Sequence, residues 1–302
     1  MKKVININTV SQYNEMFGAE TFHPLVSVVD FSKTYKLLQA GQPINYNLYI
    51  VFFKTAKSCS LRYGRNSYDY QAGTLVFIAP GQVLSVEDND GRDYQPTGYA
   101  LLFHPDLLRG TSFSQHMKDY NFFSYDIHEA LHLSEQEKEI VLECFRKIEY
   151  ELRHAIDKHS KKLIVSNIEL FLNYCVRFYD RQFITRDHAY AGVVEKFERL
   201  LNEYFNSDKL QLEGIPPVTF FANELHFSAN YFGDLIKKET GKTALEYIQA
   251  KLVEIAKEKI FNPNKSVSEV AYELGFKYPQ HFTRFFKQQV GSTPNEYRSS
   301  LS

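Results

Sequence analysis

Two helical stretches in the last quarter of this 302-residue chain carry hydrogen-bonding and charged groups opposite their aromatic and aliphatic anchors. In one, Phe282, Phe285 and Phe286 take the inward positions, which leaves Gln280, Thr283, Arg284 and Lys287 facing outward at helical spacing. In the other, Phe232, Leu235 and Ile236 point in, and Asn230, Gly233, Asp234 and Lys237 or Lys238 point out. Amides, a hydroxyl, a carboxylate and cations on a rigid helix are suited to directional hydrogen bonding with an external surface.

Residues suited to bond-making chemistry are scattered by comparison. A metal centre in a small barrel needs several histidines and a carboxylate converging on one ion, usually with an HxH pair. Only His23 and His104 lie near the predicted strands, and no HxH occurs. Cys59, Cys144 and Cys175 are odd in number, far apart and without a CxxC pair, so neither a disulfide framework nor a zinc knuckle is expected. No basic motif adjoins any of them to activate a nucleophilic thiol, and buried apolar cysteine in a reducing compartment is the expected state. No catalytic residue, metal or cofactor is expected. A metal-dependent enzyme fused to the C-terminal region stays as the alternative.

The two outward-facing sets belong to a duplication. At an offset of 49, Phe221-Ala222-Asn223-Glu224-Leu225-His226-Phe227 falls on Val270-Ala271-Tyr272-Glu273-Leu274-Gly275-Phe276. At an offset of 50, Phe232, Lys237, Gly241, Thr243, Glu246 and Tyr247 meet Phe282, Lys287, Gly291, Thr293, Glu296 and Tyr297. Each copy has the parts of a helix-turn-helix. Ser266 and Glu269 form a capping box that starts a short helix, small Ala271 marks the helix crossing, and Gly275 suits a turn of positive φ. Pro279 fits the first turn of the next helix. The first copy repeats this plan with Ala222, with His226 in place of glycine at the turn, and with Ser228 as N-cap. Leu245, Ile248, Leu252, Ile255 and Ile260 keep helical spacing, which predicts one helix connecting the copies. Major-groove faces on one side of a duplex recur every ~34 Å, so two units held rigidly at that spacing would read successive turns.

At these residues the sequence resembles the DNA-binding domain of AraC/XylS-type regulators. The resemblance rests on Ser268-Glu269-Val270-Ala271-Tyr272-Glu273-Leu274-Gly275-Phe276, then Gln280-His281-Phe282-Thr283-Arg284-Phe285-Phe286-Lys287, then Gly291-Ser292-Thr293-Pro294-Asn295-Glu296-Tyr297-Arg298. It covers roughly residues 190–300 and implies seven helices, two of them recognition helices, and transcriptional control. Carried over by position, the first recognition helix reads bases at Asn230, Gly233 and Asp234, and the second at Pro279, Gln280, Thr283 and Arg284. Arg284 could take guanine O6 and N7, Gln280 could pair with adenine, and Asp234 could accept from a cytosine N4. Gly233 has no side chain, so the second helix is expected to give more of the direct readout. Tyr231 is counted with the DNA-binding residues. Lys237, Lys238, Lys242, Lys287 and Arg298 are candidate phosphate contacts, with a solvated charged face as the other reading.

The elements that must carry this head are less sharply written. Residues from about Tyr46 to Phe103 read as short strands of an antiparallel barrel or sandwich, cut by turn signals at Gly64, Gly73, Pro80-Gly81 and Asp88–Gly91. Helical periodicity begins at the capping box Ser134 to Glu137, and a second helix runs from about Lys161 to Arg181. With Tyr70-Gln71-Ala72-Gly73-Thr74-Leu75-Val76-Phe77-Ile78-Ala79-Pro80-Gly81-Gln82, this half is similar to the cupin-type effector-binding and dimerisation domain often joined to such DNA-binding domains. The fold class is therefore an α+β two-domain chain: a cupin-like antiparallel β-barrel with two helices over residues 1–186, and an all-α tandem helix-turn-helix domain over 187–302. Tyr49, Phe52, Arg62, Phe77 and His104 are the effector-contact candidates. The stripe Ile164, Ile168, Phe171, Cys175, Phe178 is the candidate dimer seam, with packing inside one chain as the alternative.

Composition agrees with a soluble chain: 44% hydrophobic, 24% charged and net −1, so any basic surface must be local. Asn6, Asn8, Ser11, Gln12 and Asn14 interrupt any signal-peptide core, and no apolar run approaches the ~20 residues of a membrane helix. A cytoplasmic homodimer is expected, starting at or near Met1, with double-stranded DNA, RNA polymerase and a small-molecule effector as partners and no membrane. A protein-interaction module without a small-molecule ligand remains the other reading of the N-terminal half.

Overall fold

The computed structural model describes residues 3–55, 60–63, 66–69, 73–87, 96–126, 129–154, 157–185, 192–262 and 264–300, leaving out the side chains of 60–63, 66–69, 86, 87, 184, 185 and 300. The chain divides into two units, Met1–Thr185 and Arg186–Ser302.

Among the described residues of the first unit, ten strands form two five-stranded sheets. One sheet, in spatial order, is β1 (Ile5–Ile7), β3 (Pro43–Tyr46), β8 (Gln82–Glu87), β5 (Ser60–Tyr63) and β6 (Asn66–Asp69). The other is β10 (Leu131–His132), β7 (Thr74–Ile78), β4 (Tyr49–Lys54), β9 (Tyr99–Phe103) and β2 (Val26–Asp30). β1 runs parallel to β3, with Ile5 opposite Ile44, and the remaining pairs are antiparallel. Among the described residues the sheets are not closed into one barrel: β1 and β6 are the edges of one, β10 and β2 of the other. Ile7, Ile44, Tyr46 and Leu84 of the first sheet pack with Ile50, Val76, Ile78, Ala100 and Leu102 of the second. Helix α1 (Val10–Phe17), started by a Thr9–Gln12 capping box, adds Val10, Tyr13 and Phe17 to that core.

Side chains alternate between the faces of a strand, and this settles where the effector candidates lie. Phe52 shares the inter-sheet face with Ile50, its ring 6.4 Å from Phe31. Tyr49 faces the other way, stacked on Phe103 at 5.1 Å and edge-on to Phe123 at 5.1 Å. Phe77 likewise packs on Phe122 at 4.4 Å and Tyr179 at 6.1 Å, in a layer outside the second sheet. His104 is at the end of β9, where its Nδ1 accepts from the Asp106 backbone N–H at 3.1 Å and caps a 3-10 turn. Arg62 lies on β5 opposite Ser67 and Ser85, its side chain outside the described residues. The four candidates with described side chains therefore do not share one face of the sheets. Tyr49 and Phe77 belong to outer packing and His104 to a turn.

That outer layer contains the four-residue α2 (Phe113–His116), α3 (Glu135–Arg153) and α4 (Ser160–Thr185). Glu137 completes the Ser134 capping box and also accepts from Arg181 at 2.7 and 3.0 Å, which fastens α4 to the start of α3. Gln182, 1% exposed, accepts from His132 N–H and donates to the Ala130 carbonyl, fixing α4 to β10. The stripe Ile164, Ile168, Phe171, Cys175 and Phe178 is buried within the chain, at 0 to 4% exposure, with Phe171 edge-on to Phe145 of α3 at 5.2 Å. As a dimer seam it is corrected: these side chains are core. The face of α4 turned outward carries Leu163 and Leu170, 45% and 44% exposed.

The second unit contains eight described helices, one more than the resemblance implied: α5 (Val193–Phe205), α6 (Lys209–Glu213), α7 (Val218–Glu224), α8 (Ala229–Thr240), α9 (Ala244–Ile260), α10 (Val267–Glu273), α11 (Pro279–Val290) and α12 (Pro294–Ser300). Phe197 of α5 gathers the first copy's core, 5.2 Å from Phe221 and from Phe232 and 5.7 Å from Tyr247. The 17-residue α9 joins the copies and, at 1.5 Å per residue, spans ~25 Å. Its buried stripe is Ala244, Ile248, Leu252, Ala256 and Ile260. Leu245 is 52% exposed and Ile255 only partly buried, so steps of four through two alanines replace the expected stripe.

Candidate nucleic-acid interface

The second helix-turn-helix begins where Ser266 caps α10. The Ser266 hydroxyl accepts from Glu269 N–H at 3.2 Å, and the Glu269 carboxylate accepts from Ser266 N–H at 2.7 Å. After Leu274 the chain reverses through Gly275 at φ 78°, and Phe276 N–H returns to the Ala271 carbonyl at 3.0 Å. Phe276 then packs on Phe282 at 5.3 Å and Phe285 at 5.7 Å, which sets the angle of α11. Gly275 also has an outside neighbour: a Cβ here would run into the Leu210 carbonyl oxygen and the Gly214 backbone. The turn thus presses on the end of α6, and only glycine fits.

The first copy repeats the return bond of the turn but not its side-chain caps: Pro217 gives α7 none, and the Ser228 cap of α8 has no counterpart at Tyr278 before α11. Phe227 N–H reaches the Ala222 carbonyl at 2.9 Å, and Ser228 accepts from Tyr231 N–H at 3.2 Å. The turn residue is His226 at φ 61°, the one non-glycine of positive φ among the described residues. Downstream the copies remain in step: Gly241 N–H bonds the Lys237 carbonyl and Gly291 N–H the Lys287 carbonyl, both at 2.9 Å. Thr243 with Glu246, and Thr293 with Glu296, cap the next helices.

Both reading helices present the expected outer faces. On α11, Gln280, Arg284 and Lys287 are exposed, and Thr283 is partly buried with its hydroxyl donating to the Pro279 carbonyl at 3.1 Å. On α8, Asn230, Lys237 and Lys238 are exposed, with Gly233 and Asp234 at intermediate burial. Tyr231 does not belong with them. It is 0% exposed and stacked on Phe227 at 5.6 Å, so it is an anchor of α8 and is corrected as a DNA contact. Phe285 is only partly buried, unlike Phe282 and Phe286.

One surface feature has no sequence signal of its own, since an aromatic residue before proline is compatible with an ordinary turn. Tyr278 is 55% exposed and lies with exposed His281, ring centroids 5.4 Å apart, at the N-terminal end of α11 beside Gln280.

Four glutamates of this unit have structural roles. Glu246, Glu269 and Glu296 accept from backbone N–H groups at helix starts, and those bonds hold each carboxyl below the ordinary glutamate value. Glu273 bridges Lys259 of α9 and Lys265, and its carboxyl is lowered by both. Arg298 is corrected as a phosphate contact. Its guanidinium donates to the carbonyls of Ile260 at 2.7 Å and Lys265 at 2.9 Å, which finishes the C-terminal end of α9. Lys242 remains exposed.

Cys144, Cys175 and His23, weighed for other chemistry, have structural surroundings. Cys144 and Cys175 are buried, and desolvation pushes both thiols up, Cys175 strongly; Cys59 lies outside the described residues. His23 Nδ1 accepts from Leu25 N–H at 3.1 Å, and burial lowers its pKa. No helix among the described residues is long and apolar enough to cross a membrane.

Comparison with known proteins places these features in context. Residues 221–300 match a family described as a helix-turn-helix domain. The chain is 31% identical over 143 residues to the transposon Tn10 TetD protein of Escherichia coli, covering 47% of this chain and 91% of that protein. It is also 31% identical over 151 residues to the HTH-type transcriptional regulator YfiF of Bacillus subtilis, covering 48% of this chain and 45% of that one. The chain spans between 14% and 54% of the length of three B. subtilis regulators it matches, YtdP, YfiF and YobQ. Among solved structures, the C-terminal domain of the response regulator yesN of Fusobacterium nucleatum is similar at 23% identity and a TM-score of 0.31, covering 34% of this chain and 95% of that one.

Proposed function

Because the chain belongs to the AraC-type family of helix-turn-helix regulators, we propose that it is a sequence-specific, double-stranded-DNA-binding transcription regulator and an effector-responsive activator. One observation carries this reading. Two copies of the same turn, built on matching hydrogen bonds, present equivalent helix faces whose exposed residues are hydrogen-bonding and basic: Asn230, Lys237 and Lys238 on α8, and Gln280, Arg284 and Lys287 on α11. Arg284 and Gln280 are suited to guanine and adenine edges, Asp234 to a cytosine amino group, and the lysines to phosphates. Tyr278 and His281 add an aromatic pair beside them.

The sheet unit, with two facing sheets and a helical layer, is assigned the cupin-like effector-binding and dimerisation role. A self-association face on α4 would use Leu163 and Leu170, beside a groove of about 400 Å³ lined by Tyr150, Asn167, Lys147 and Arg146, and not the buried stripe. The chain acts in the cytoplasm with RNA polymerase as partner and performs no catalysis of its own.

Selection of bound duplexes from a random pool by the full-length protein tests the core of the reading. Enrichment of one sequence motif at moderate ionic strength supports it, and a pool that stays random overturns it. A thermal-shift screen addresses the effector, since a ligand at 100 times its dissociation constant stabilises by ~2.7 kcal/mol.

A further inference from the structure

Gly233 has no internal reason to be glycine. Every other glycine among the described residues has positive φ, a backbone task that glycine performs. Gly233 instead sits inside α8, five residues after the Ser228 cap, with no positive φ. A Cβ built on it would meet nothing within 4 Å. Helix crossing, turn geometry and core packing therefore leave this glycine unexplained, although glycine is the poorest helix former after proline. What remains is a body outside the chain that approaches the helix too closely for a side chain.

The duplication shows what that body needs. At the offset of 50, Asn230, Gly233 and Asp234 correspond to Gln280, Thr283 and Arg284. Every member of the first set is shorter than its counterpart. Asparagine lacks one methylene of glutamine, glycine lacks the whole threonine side chain, and aspartate falls well short of arginine. A helix with short readers reaches base edges only if its axis lies nearer to them, and the backbone on its reading face then becomes the contact-limiting surface.

Resting on the DNA-binding reading above, we propose that Gly233 is a specificity-determining residue: its bare backbone lets α8 seat more deeply in the major groove than α11, so that Asn230 and Asp234 reach the base edges. The two heads are then a short-reach and a long-reach reader. The first segment of the target is read by an adenine-seeking amide and a cytosine-seeking carboxylate at close range.

The test uses the full chain and the duplex that the wild type selects. Gly233→Ala adds one methyl group to an open helix surface, so thermal unfolding moves to higher temperature while affinity for the selected duplex falls about tenfold. The salt dependence of binding stays parallel to wild type, because no phosphate contact is lost. Gly233→Thr, the residue of the second copy, weakens binding further. Adding Asn230→Gln to Gly233→Ala lengthens the reader and recovers part of the lost affinity. Unchanged affinity in Gly233→Ala with a raised unfolding temperature overturns the proposal, as does a lowered unfolding temperature, which would reveal an internal steric role. If the wild type selects no duplex at all, the DNA-binding reading fails first and takes this inference with it, an outcome separate from a wild type that selects and a variant that binds equally well.

Discussion

Exchanging the two turn residues is expected to have opposite effects in the two copies. His226 holds φ 61° where its counterpart Gly275 holds φ 78°, and both turns return an N–H to the carbonyl five residues back. Left-handed backbone costs an L-residue roughly 1–2 kcal/mol, and histidine belongs to the types that tolerate it, so the lower figure applies. Glycine in its place relieves that strain and returns ~0.4–1 kcal/mol to the unfolded chain as entropy. His226→Gly is thus stabilising by about 0.3 kcal/mol, which raises the melting temperature of a unit of this size by roughly 1–2 °C. Gly275→His adds the same left-handed strain and drives a Cβ into the Leu210 carbonyl and the Gly214 backbone, neither of which can swing aside. Its cost exceeds ~3 kcal/mol, in the range of severe backbone and packing lesions. Calorimetric unfolding of the full-length variants reads both, through the transition assigned to the C-terminal unit. A His226→Gly protein no more stable than wild type would show that the turn is unstrained. A tolerated Gly275→His would disprove the close approach of α6.

Further expectations concern contacts, charge and assembly. Arg284→Ala lowers affinity for the selected duplex by ~1–3 kcal/mol without changing unfolding, and unchanged anisotropy titrations would remove Arg284 from the interface. Lys287→Ala reduces the slope of log affinity against log salt by about 1, whereas an unaltered slope makes Lys287 part of a solvated face. Glu269, exposed and held below its ordinary value of 4.5 by the Ser266 N–H, stabilises the fold fully above pH 4.5. That contribution disappears as pH falls through the depressed folded value, so acid unfolding of Glu269→Gln should show a weaker pH dependence below 4.5, and identical curves would contradict it. Ile168→Ala costs ~2–5 kcal/mol in unfolding because the side chain is fully buried, and a variant that only dissociates a dimer at unchanged stability would restore the seam.

The C-terminal unit was the more legible half because its signals are local. The Ser266–Glu269 box, the glycine turn and the Pro279 start each depend on residues within one turn of each other, the repeat shows by direct comparison of the two copies, and the structure realises each of them. Positions decided by packing at a distance were less readable. Tyr231 follows Asn230 in sequence but points to Phe227, since adjacent helical residues diverge by about 100°. The stripe Ile164–Phe178 has the same spacing whether it meets α3 or a twin helix, so periodicity could not choose between them. In the sheet unit, β1 and β10 have only three and two residues, too few for alternation to register. Tyr49 and Phe52, three residues apart on β4, fall on opposite faces by alternation alone, whereas which of the two faces is inside depends on pairing the sequence does not display. Arg298 looked like a phosphate ligand by charge alone, and its two carbonyl partners lie more than thirty residues away in the chain.

The most direct test of the account is a hydroxyl-radical footprint of the full-length protein on the duplex it selects. Two protected patches on one face, centred about 10–10.5 base pairs apart, are expected from two reading helices held in one unit by α9. A single patch, patches on opposite faces, or no protection above competitor would contradict the tandem reading head.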